Sequence, residues 1–352
     1  MRYTPNWTEY ELLDTADGQR LERWGEYFLV RPDPQVIWST APVGASDPAR
    51  PSHSTHPSLR ATLVGRPYKE WQNPHATYER SSTGGGQWVN VSPDLPDEWI
   101  VRYAPLDLAF YIRPTSFKHT GLFPEQAVNW DWMSEQIRSR RGEQCSPVNS
   151  LRHAVRATPL EEGGKTTPSA SPPPLHRGEF TPSVLNLFAY TGGATIAAAA
   201  AGAHVTHVDA SRGMVEVAKQ NAALNRLPND RIRWIVDDCR KFVQREIRRG
   251  KKYDAIIMDP PSYGRGSNGA VWKLEDDIFP LIADCVQLLS DDALFMMVNS
   301  YTTGLSGGTM GYMLHSLIPH GRVECDEIGL PVTSTGGVLP CGSTAVWVGE
   351  AT

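Results

Sequence analysis

Residues 183–209 read SVLNLFAYTGGATIAAAAAGAHVTHVD, and this stretch decides the fold. The apolar run 184–189 predicts a buried strand, and the alanine-rich stretch 194–201 predicts a helix that ends at Gly202. The segment HVTHV, residues 204–208, predicts a second strand. Two strands joined by a helix form a β-α-β unit, in which the strands lie parallel in one sheet.

The same alternation continues almost to the end of the chain. Strands are expected at 232–236, 253–258, 294–299, 322–329 and 344–349, and helices at 213–225, 241–249, 274–289 and 312–318. Residues 183–352 are therefore predicted to form an α/β, Rossmann-like domain with a doubly wound, mostly parallel sheet.

Candidate binding residues directly follow the predicted strands, where doubly wound sheets bind their ligands. Gly192, after the first strand, lets the backbone approach a ligand that a Cβ would exclude. Asp209, after the second, suits hydrogen bonds to ribose hydroxyls, and it suits a helix N-cap equally well. In Asp237-Asp238, after the third, one carboxylate can cap the next helix while the other accepts from an adenine amine.

The fourth strand is followed by DPPSYG, which begins at Asp259. Its two prolines, Pro260 and Pro261, hold an extended backbone and keep their carbonyls in place as acceptors. A dehydrogenase would carry G-x-G-x-x-G after the first strand, where this chain has TGGAT. DPPSY has no role in hydride transfer, so dehydrogenase activity is disfavoured.

Residues 1–112 predict a small β-rich domain, with short strand-like runs at 27–30, 88–91 and 99–103 between turn-rich stretches such as 42–57. Its large aromatic residues are expected to form the core, and the alternative is a platform on which nucleobases stack. The tryptophans in question are Trp7, Trp24, Trp38, Trp71, Trp88, Trp99 and, just beyond the domain, Trp130.

Two segments connect this region to the α/β domain. Residues 113–145 contain a predicted amphipathic helix, 123–141, whose terminal arginines Arg138, Arg140 and Arg141 either complement the helix dipole or contact RNA. Residues 146–182 include TTPSASPPP and are expected to form a linker or surface loop.

The composition is typical of a globular protein of the cytosol. Charged residues make up 21% and hydrophobic residues 40% of the 352 residues, with no apolar run of the roughly 18 residues that a membrane span needs. The five cysteines are scattered and form no CxxC pair, which predicts neither disulfides nor a metal site. The net charge of −5 weighs modestly against a broad RNA footprint and leaves a local basic groove open.

Four stretches, LNLFAYTGGAT, VDASRGMVEVAKQNAALN, VDDCRKF and DAIIMDPPSYGRG, resemble the bacterial large-subunit ribosomal RNA methyltransferases that make 5-methylcytidine or 7-methylguanosine. The upstream FKHTGLFPEQ, residues 117–126, shares the resemblance, and in that family it reaches the cofactor. The resemblance implies a class I methyltransferase that uses S-adenosyl-L-methionine and acts on RNA, ribosomal RNA above all.

Carried over by position, the resemblance assigns a role to each matching residue. Phe188, Ala189, Thr191 and Gly192 would cradle the methionine part of the cofactor, and Asp209 would hold the ribose. The adenosine pocket would be bordered by Ser211 and Arg212 and would hold the adenine amine at Asp238. The upstream residues that would close over the cofactor are Lys118, Thr120 and Gln126. Asn186 and Cys239, at the ends of the first and third strands, complete the candidate set.

One departure from the family bears on the reaction. The 5-methylcytidine enzymes place a nucleophilic cysteine after the fifth strand, where this chain has VNSY, residues 298–301. Methylation of a ring carbon of cytosine needs a thiolate that adds to the ring first. DPPSY instead resembles the (D/N)PP(Y/F) element of enzymes that methylate nitrogen. We therefore expect the catalytic residues Asp259, Pro260 and Ser262 to meet a target nitrogen while Tyr263 stacks on the acceptor.

Three functions stay open at this stage. The first is methylation of a nitrogen in RNA, in which Arg265 and Lys273 would meet phosphates. The second is methylation of a protein or small molecule on the same fold, because fold alone does not set the substrate. The third is a non-catalytic RNA-binding or assembly factor, which an intact DPPSY argues against.

Overall fold

The computed structural model describes residues 1–39, 68–81, 85–115, 118–142, 180–265, 271–302 and 304–350. The turn-rich stretch 42–57, Phe117, Cys145 and nearly all of the predicted linker 146–182 lie outside the described residues.

The N-terminal part is β-rich, as the sequence predicts. Its strands are β1 Tyr10–Ala16, β2 Gln19–Trp24, β3 Tyr27–Pro32, β4 Ala76–Arg80, β5 Gly86–Val89, β6 Trp99–Tyr103 and β7 Leu108–Ile112. The strands β1 to β5 form one sheet in sequential order, in which only β3 and β4 pair in parallel, and β6 pairs with β7 as a separate hairpin. Four of these strands, β1, β2, β4 and β7, were not predicted from the sequence.

The tryptophans of this region belong mostly to the core. Trp7, Trp24, Trp71 and Trp99 are each less than one tenth exposed, and Trp130 is 2% exposed. Their rings pack edge-on and tilted against tyrosines and one another, which is how large aromatics fill a core. The nucleobase platform is therefore not what these buried rings form.

The C-terminal part alternates strands and helices. The helices are α1 Ala127–Arg140, α2 Gly193–Ala200, α3 Arg212–Leu224, α4 Cys239–Arg248, α5 Leu274–Val286 and α6 Gly307–Leu317. The strands are β8 Ser183–Leu187, β9 His204–Asp209, β10 Ile232–Val236, β11 Ala255–Met258, β12 Tyr263–Arg265, β13 Val271–Lys273, β14 Phe295–Ser300, β15 Arg322–Pro331 and β16 Val338–Val348. Each strand and helix expected after residue 183 is present with bounds that differ by a few residues, and only the β12–β13 hairpin is additional.

Seven strands form the central sheet in the order β10-β9-β8-β11-β14-β16-β15. The first five are parallel and the last two antiparallel. This confirms the predicted α/β, Rossmann-like fold. Successive residues of β8 enter opposite cores, because Val184 packs with α1 and α2 while Leu185 packs with α4 and α5. Burial on both faces explains why β8 reads as a continuous apolar run.

The N-terminal part is tied to the central sheet through a shared core. Trp7 and Trp24 pack in the same cluster as Val184 and Ile196. Two parallel bridges, Arg2 with Ile328 and Leu12 with Val332, join the chain start and β1 to the β15 edge. The division into units 1–112, 113–145, 146–182 and 183–352 stays a prediction.

Candidate functional site

The order of the central sheet reverses between β8 and β11, because β9 lies on one side of β8 and β11 on the other. The loops that follow these two strands therefore open on one crevice, the usual ligand site of a doubly wound sheet. A small cavity of about 60 Å³ lies there. It is lined by Leu122, Phe123, Gln126, Trp130, Asn186, Phe188, Ala189, Tyr190, Thr191, Gly193, Ala194, Ile257, Asp259 and Asn299.

The loop after β8 is held in an uncommon backbone conformation. Phe188 and Tyr190 have φ angles of 54° and 49°, and Gly192 has a φ of 89°. Non-glycine residues in this region are rare, and such strain concentrates at ligand-binding sites. A Cβ at Gly193 would lie 2.7 Å from the Trp130 ring, so the glycine allows α2 to begin directly against α1. The loop backbone thus lies closely around the cavity.

Asp209 holds this loop against the next one. Its Oδ2 accepts a hydrogen bond from the Tyr190 backbone N–H at 2.9 Å, and its Oδ1 accepts from the Ser211 N–H at 2.8 Å. Burial raises the pKa of Asp209. The N-cap of α3 is Ser211, which accepts from the Met214 N–H, so Asp209 is not the capping residue. Arg212 begins α3 and is exposed.

The end of β10 combines a helix cap with a buried thiol. Asp238 is the N-cap of α4 and accepts from the Lys241 N–H at 3.0 Å, while Asp237 forms an ion pair with Arg245. The Cys239 Sγ accepts from the Phe188 N–H at 3.3 Å, and burial raises the pKa of this thiol well above its usual range. Cys239 thereby joins the third strand end to the first.

The upstream segment 118–126 reaches the same crevice. Thr191 Oγ1 donates to the Gly121 carbonyl at 2.5 Å, which ties this segment to the loop after β8. The hydroxyl of Thr120 is fully buried and has no hydrogen-bond partner among the described residues. The Lys118 carbonyl accepts from Arg31, and burial together with Arg20 and other nearby cations lowers the pKa of its amine to about 8.

Asp259 lies at the centre of a polar group at the other side of the cavity. The Gln126 Nε2 donates to the Tyr301 hydroxyl at 2.8 Å and to Asp259 Oδ2 at 3.4 Å. Burial, and secondarily the carboxyl of Glu125, raises the pKa of Asp259 to about 7. A carboxyl of this kind changes its charge near neutral pH, which suits a residue that accepts a proton.

The rest of DPPSY forms the start of the β12–β13 hairpin. Pro260 is buried, whereas Ser262 and Tyr263 are exposed. The Trp272 indole N–H donates to the Pro261 carbonyl at 2.6 Å and so anchors the turn. The same indole ring packs against Phe188 at 5.1 Å between ring centroids. The turn therefore lies beside the cavity, and the Tyr263 ring is exposed to solvent.

Asn186 differs from the other candidates because its side chain points back into the fold. Its Nδ2 donates to Thr195 Oγ1 at 2.9 Å, and Thr195 Oγ1 also contacts His207 Nδ1 at 2.9 Å. Asn186 is 3% exposed and also lines the cavity.

Tyr301, Glu125 and Trp272 act on residues that line the crevice, and the sequence did not single them out. Tyr301 directly follows β14, so the strand-end rule that selected Asp209 and Asp259 applied to it as well. Trp272 lies in the hairpin that was not predicted, and no sequence signal pointed to it.

Comparison with known proteins agrees with this geometry. A family model described as S-adenosylmethionine-dependent methyltransferase matches residues 178–297. The ribosomal RNA large subunit methyltransferase I of Enterobacter sp. (strain 638) is 41% identical over 81 residues, 23% of this chain and 20% of that protein. The ribosomal RNA large subunit methyltransferase K/L of Shewanella pealeana is 37% identical over 118 residues, 33% of this chain and 15% of that protein. These matches span a fifth or less of the length of either relative.

A solved structure matches over nearly the whole chain. The crystal structure of the SAM-dependent methyltransferase from Agrobacterium tumefaciens superposes with a TM-score of 0.73 at 31% identity and covers 99% of this chain and 92% of that one. The chain belongs to the S-adenosylmethionine-dependent methyltransferases. The predicted family and cofactor are therefore confirmed.

The residues of this methyltransferase fit S-adenosylmethionine at the crevice. A carboxylate offers about four lone-pair positions, and Asp209 uses only two of them on backbone N–H groups. The orphaned Thr120 hydroxyl is a polar group that still needs a partner. No helix among the described residues is long and apolar enough to span a membrane, and the same residues contain no cluster of three or more potential metal ligands.

Proposed function

We propose that this protein is an enzyme that methylates a nitrogen of an RNA base, in ribosomal RNA above all. The observation that carries the proposal is Asp259, a carboxyl with a pKa near 7 that directly follows β11 and lines the cavity of the cofactor loop. It is held by Gln126 and followed by two prolines and an exposed aromatic ring.

The proposed mechanism depends mainly on orientation. Bound S-adenosylmethionine supplies a methyl group on a positively charged sulfur, already activated for transfer. Asp259 and the Pro260 carbonyl accept hydrogen bonds from the target amine and turn its lone pair toward the cofactor. Asp259 then takes the proton that the nitrogen loses as the N–C bond forms and the C–S bond breaks. Tyr263 stacks on the acceptor, and Ser262 completes the proposed catalytic set.

The remaining candidates are proposed to bind the cofactor. Phe188, Ala189, Thr191 and Gly192 surround its methionine part, and Asp209 holds the ribose. The adenosine is bordered by Ser211, Arg212, Asp238 and Cys239. The cofactor is covered by Lys118, Thr120 and Gln126. Asn186 supports the loop that follows β8.

The cysteines argue against carbon as the acceptor atom. Position 301 carries a tyrosine, and none of the four cysteines that the structure describes lines the cavity beside Asp259. Burial raises the pKa values of Cys239, Cys285 and Cys341, so these thiols resist forming the thiolate that carbon methylation needs. The exposed Cys325 lies on β15, at the far edge of the sheet.

RNA is proposed as the acceptor because the matching relatives in Enterobacter and Shewanella are named ribosomal RNA methyltransferases. Ribosomal RNA as substrate would place the protein in the cytoplasm. A protein or small-molecule acceptor remains the competing proposal, and a non-catalytic factor is the third.

The test is transfer of a radiolabelled methyl group from S-adenosylmethionine to ribosomal RNA from a strain that lacks the gene, followed by mass spectrometry of the nucleosides. We expect one N-methylated nucleoside to appear in that RNA. A 5-methylcytidine product would contradict the choice of nitrogen. Label in protein or in small molecules, with none in RNA, would support the second proposal. Cofactor binding without transfer to any of these acceptors would support the third.

A further inference from the structure

The positive charge of this protein is concentrated in one segment. Residues 226–252 contain ten basic and four acidic residues, a net charge of +6 in a chain whose net charge is −5. The segment comprises β10, which is an edge strand of the central sheet, and α4 beside it. A local potential of this kind attracts polyanions even where the whole molecule is acidic.

The basic helix α4 borders a groove of about 720 Å³. One wall is α4, and the other is formed by β13 and α5, with Trp272 and Val271 at one end. The groove is therefore much larger than the cavity at the cofactor loop and is lined by charged and apolar side chains together.

The three aspartates that line the groove, Asp238, Asp277 and Asp284, already have partners within the protein. Asp277 forms an ion pair with Arg240, and Asp284 accepts from Gln244 at 2.6 Å. Asp277 also accepts from the Lys273 backbone N–H at 2.9 Å, so these contacts hold the hairpin and α5 against α4.

Two cations of the groove, Lys241 and Arg248, form no ion pair among the residues that the structure describes. They are seven residues apart, so they lie on one face of α4, about 10 Å apart along its axis. Both are exposed and line the groove. The groove thus keeps two cations free for an outside anion.

The groove leads directly to the proposed reaction centre. Trp272 lines the groove, and its indole N–H holds the Pro261 carbonyl of DPPSY while its ring packs on Phe188 of the cofactor loop. The packed rings of Trp272 and Phe188 therefore lie between the groove and the crevice. An RNA strand whose target nucleobase lies at Asp259 can continue into the groove.

We propose that the groove between α4 and α5 is the binding site for the sugar-phosphate backbone of the RNA next to the target base, with Lys241 and Arg248 as the phosphate contacts. The inference rests on the proposed function, which supplies RNA as the acceptor. Val271, which is 44% exposed and lines the groove, offers the same RNA strand an apolar contact.

The test compares two double variants with equal charge loss. Lys241→Gln with Arg248→Gln removes the free cations of the groove, and glutamine keeps the helix propensity. The control, Arg226→Gln with Lys251→Gln, removes two exposed cations of the same segment that lie outside the groove. The probe is a fluorescent 20-nucleotide single-stranded RNA, with binding followed by anisotropy between 50 and 300 mM KCl.

Each phosphate contact to single-stranded RNA contributes about 0.7 to the slope of log affinity against log salt, or about five-fold in affinity at 0.1 M salt. We expect the groove variant to bind roughly 25-fold more weakly at 0.1 M KCl, with the slope reduced by about 1.4. The control should lose less than about three-fold, because at this salt long-range attraction is mostly screened. Calorimetric affinity for S-adenosylhomocysteine should be the same in all three proteins.

If the groove variant bound RNA with wild-type affinity, the groove would not be the RNA-binding site, and the proposed function would still stand. If the protein bound a 20-residue polyglutamate through the groove and did not bind RNA, an acidic protein would be the ligand, and the inference would be wrong. If RNA binding depended on the groove but no base was methylated, the groove would be confirmed as the RNA-binding site and the proposed function would be wrong.

Discussion

Asp259 has a pKa near 7 because burial and the nearby Glu125 both disfavour its charged form. A base of this kind is ionised above pH 7, so kcat/KM should rise about ten-fold per pH unit below 7 and level off above it. Asp259→Asn should lower kcat by about 100-fold or more and remove this step from the pH profile, with the cofactor affinity unchanged by calorimetry. Asp276→Asn, at an exposed aspartate of α5, is the control. If Asp259→Asn kept the rise of kcat/KM near pH 7, another titrating group would be responsible for it.

Tyr263 is 53% exposed in the hairpin that follows Asp259, so an acceptor base can reach its ring. Base stacking contributes about 1 to 3 kcal/mol. Tyr263→Ala should therefore raise KM for RNA by about five-fold to 100-fold. Tyr263→Phe keeps the ring and should stay near wild type. Equal losses in both variants would point to the hydroxyl instead, and no loss in either would remove Tyr263 from the site.

At the scale of elements, the start of α2 depends on a glycine. A Cβ at Gly193 would approach the Trp130 ring of α1 to 2.7 Å, and Trp130 belongs to the core beneath the loop that follows β8. Gly193→Ala should therefore destabilise the protein by about 1 to 3 kcal/mol in urea unfolding, because the buried indole cannot move without disturbing its neighbours.

Gly213 provides the matched control for this substitution. It lies in the first turn of α3, and a Cβ there would meet nothing closer than 3.9 Å. Gly213→Ala should stabilise the protein by up to about 1 kcal/mol, since alanine restricts the unfolded chain. Stabilisation by both substitutions would mean that α1 and α2 are less tightly packed than the structure shows.

The elements themselves were predicted from the sequence with uneven success. After residue 183, the buried strands β8, β11 and β14 read as largely apolar runs, and all five parallel strands were predicted. In the N-terminal part, β2 reads QRLERW and was missed, because its Arg20 and Glu22 are buried as a salt bridge rather than exposed. A pattern of hydrophobicity cannot show that two charged residues are buried because they pair with each other.

At the scale of the whole molecule, a buried ion pair connects the N-terminal sheet to the upstream segment 118–126. Glu22 is fully buried and accepts from Arg31 at 2.5 and 2.7 Å and from the Tyr10 hydroxyl at 2.8 Å. The same Arg31 donates to the Lys118 carbonyl at 3.0 Å. Arg31→Met would leave the Glu22 charge with less compensation and should cost about 3 to 5 kcal/mol.

The control for Arg31→Met is Arg23→Met, in the neighbouring pair with Glu11. That pair lies in the same sheet at 3.0 Å, but its side chains are 25% and 32% exposed. Its loss should cost less than about 1 kcal/mol in the free energy of unfolding. Equal costs for the two variants would show that burial of the Glu22 pair has no energetic weight.

The pKa of Glu22 predicts how stability depends on pH. Arg20 and Arg31 overcome the effect of burial and lower this pKa from 4.5 to about 2. A carboxyl with a lowered folded-state pKa stabilises the fold above its unfolded pKa and loses that contribution as pH falls. The free energy of unfolding should thus fall by on the order of 3 kcal/mol between about pH 5 and 2, and Arg31→Met should flatten the decline. If the free energy of unfolding of Arg31→Met fell equally steeply, other carboxyls would be responsible for the decline.

The sequence by itself determined the α/β fold and the family, and it predicted the strand ends at which the site is proposed. The fold and the strand ends follow from the alternation of apolar runs and helices, and the family follows from the resemblance of short motifs, all of which are local properties of the chain. Only the tertiary structure brought Gln126 to Tyr301 and Asp259, across 175 and 133 residues, and created the groove beside α4. The pKa of Asp259 was decided at the same level, because desolvation and a neighbouring charge come from segments that meet only in the folded chain.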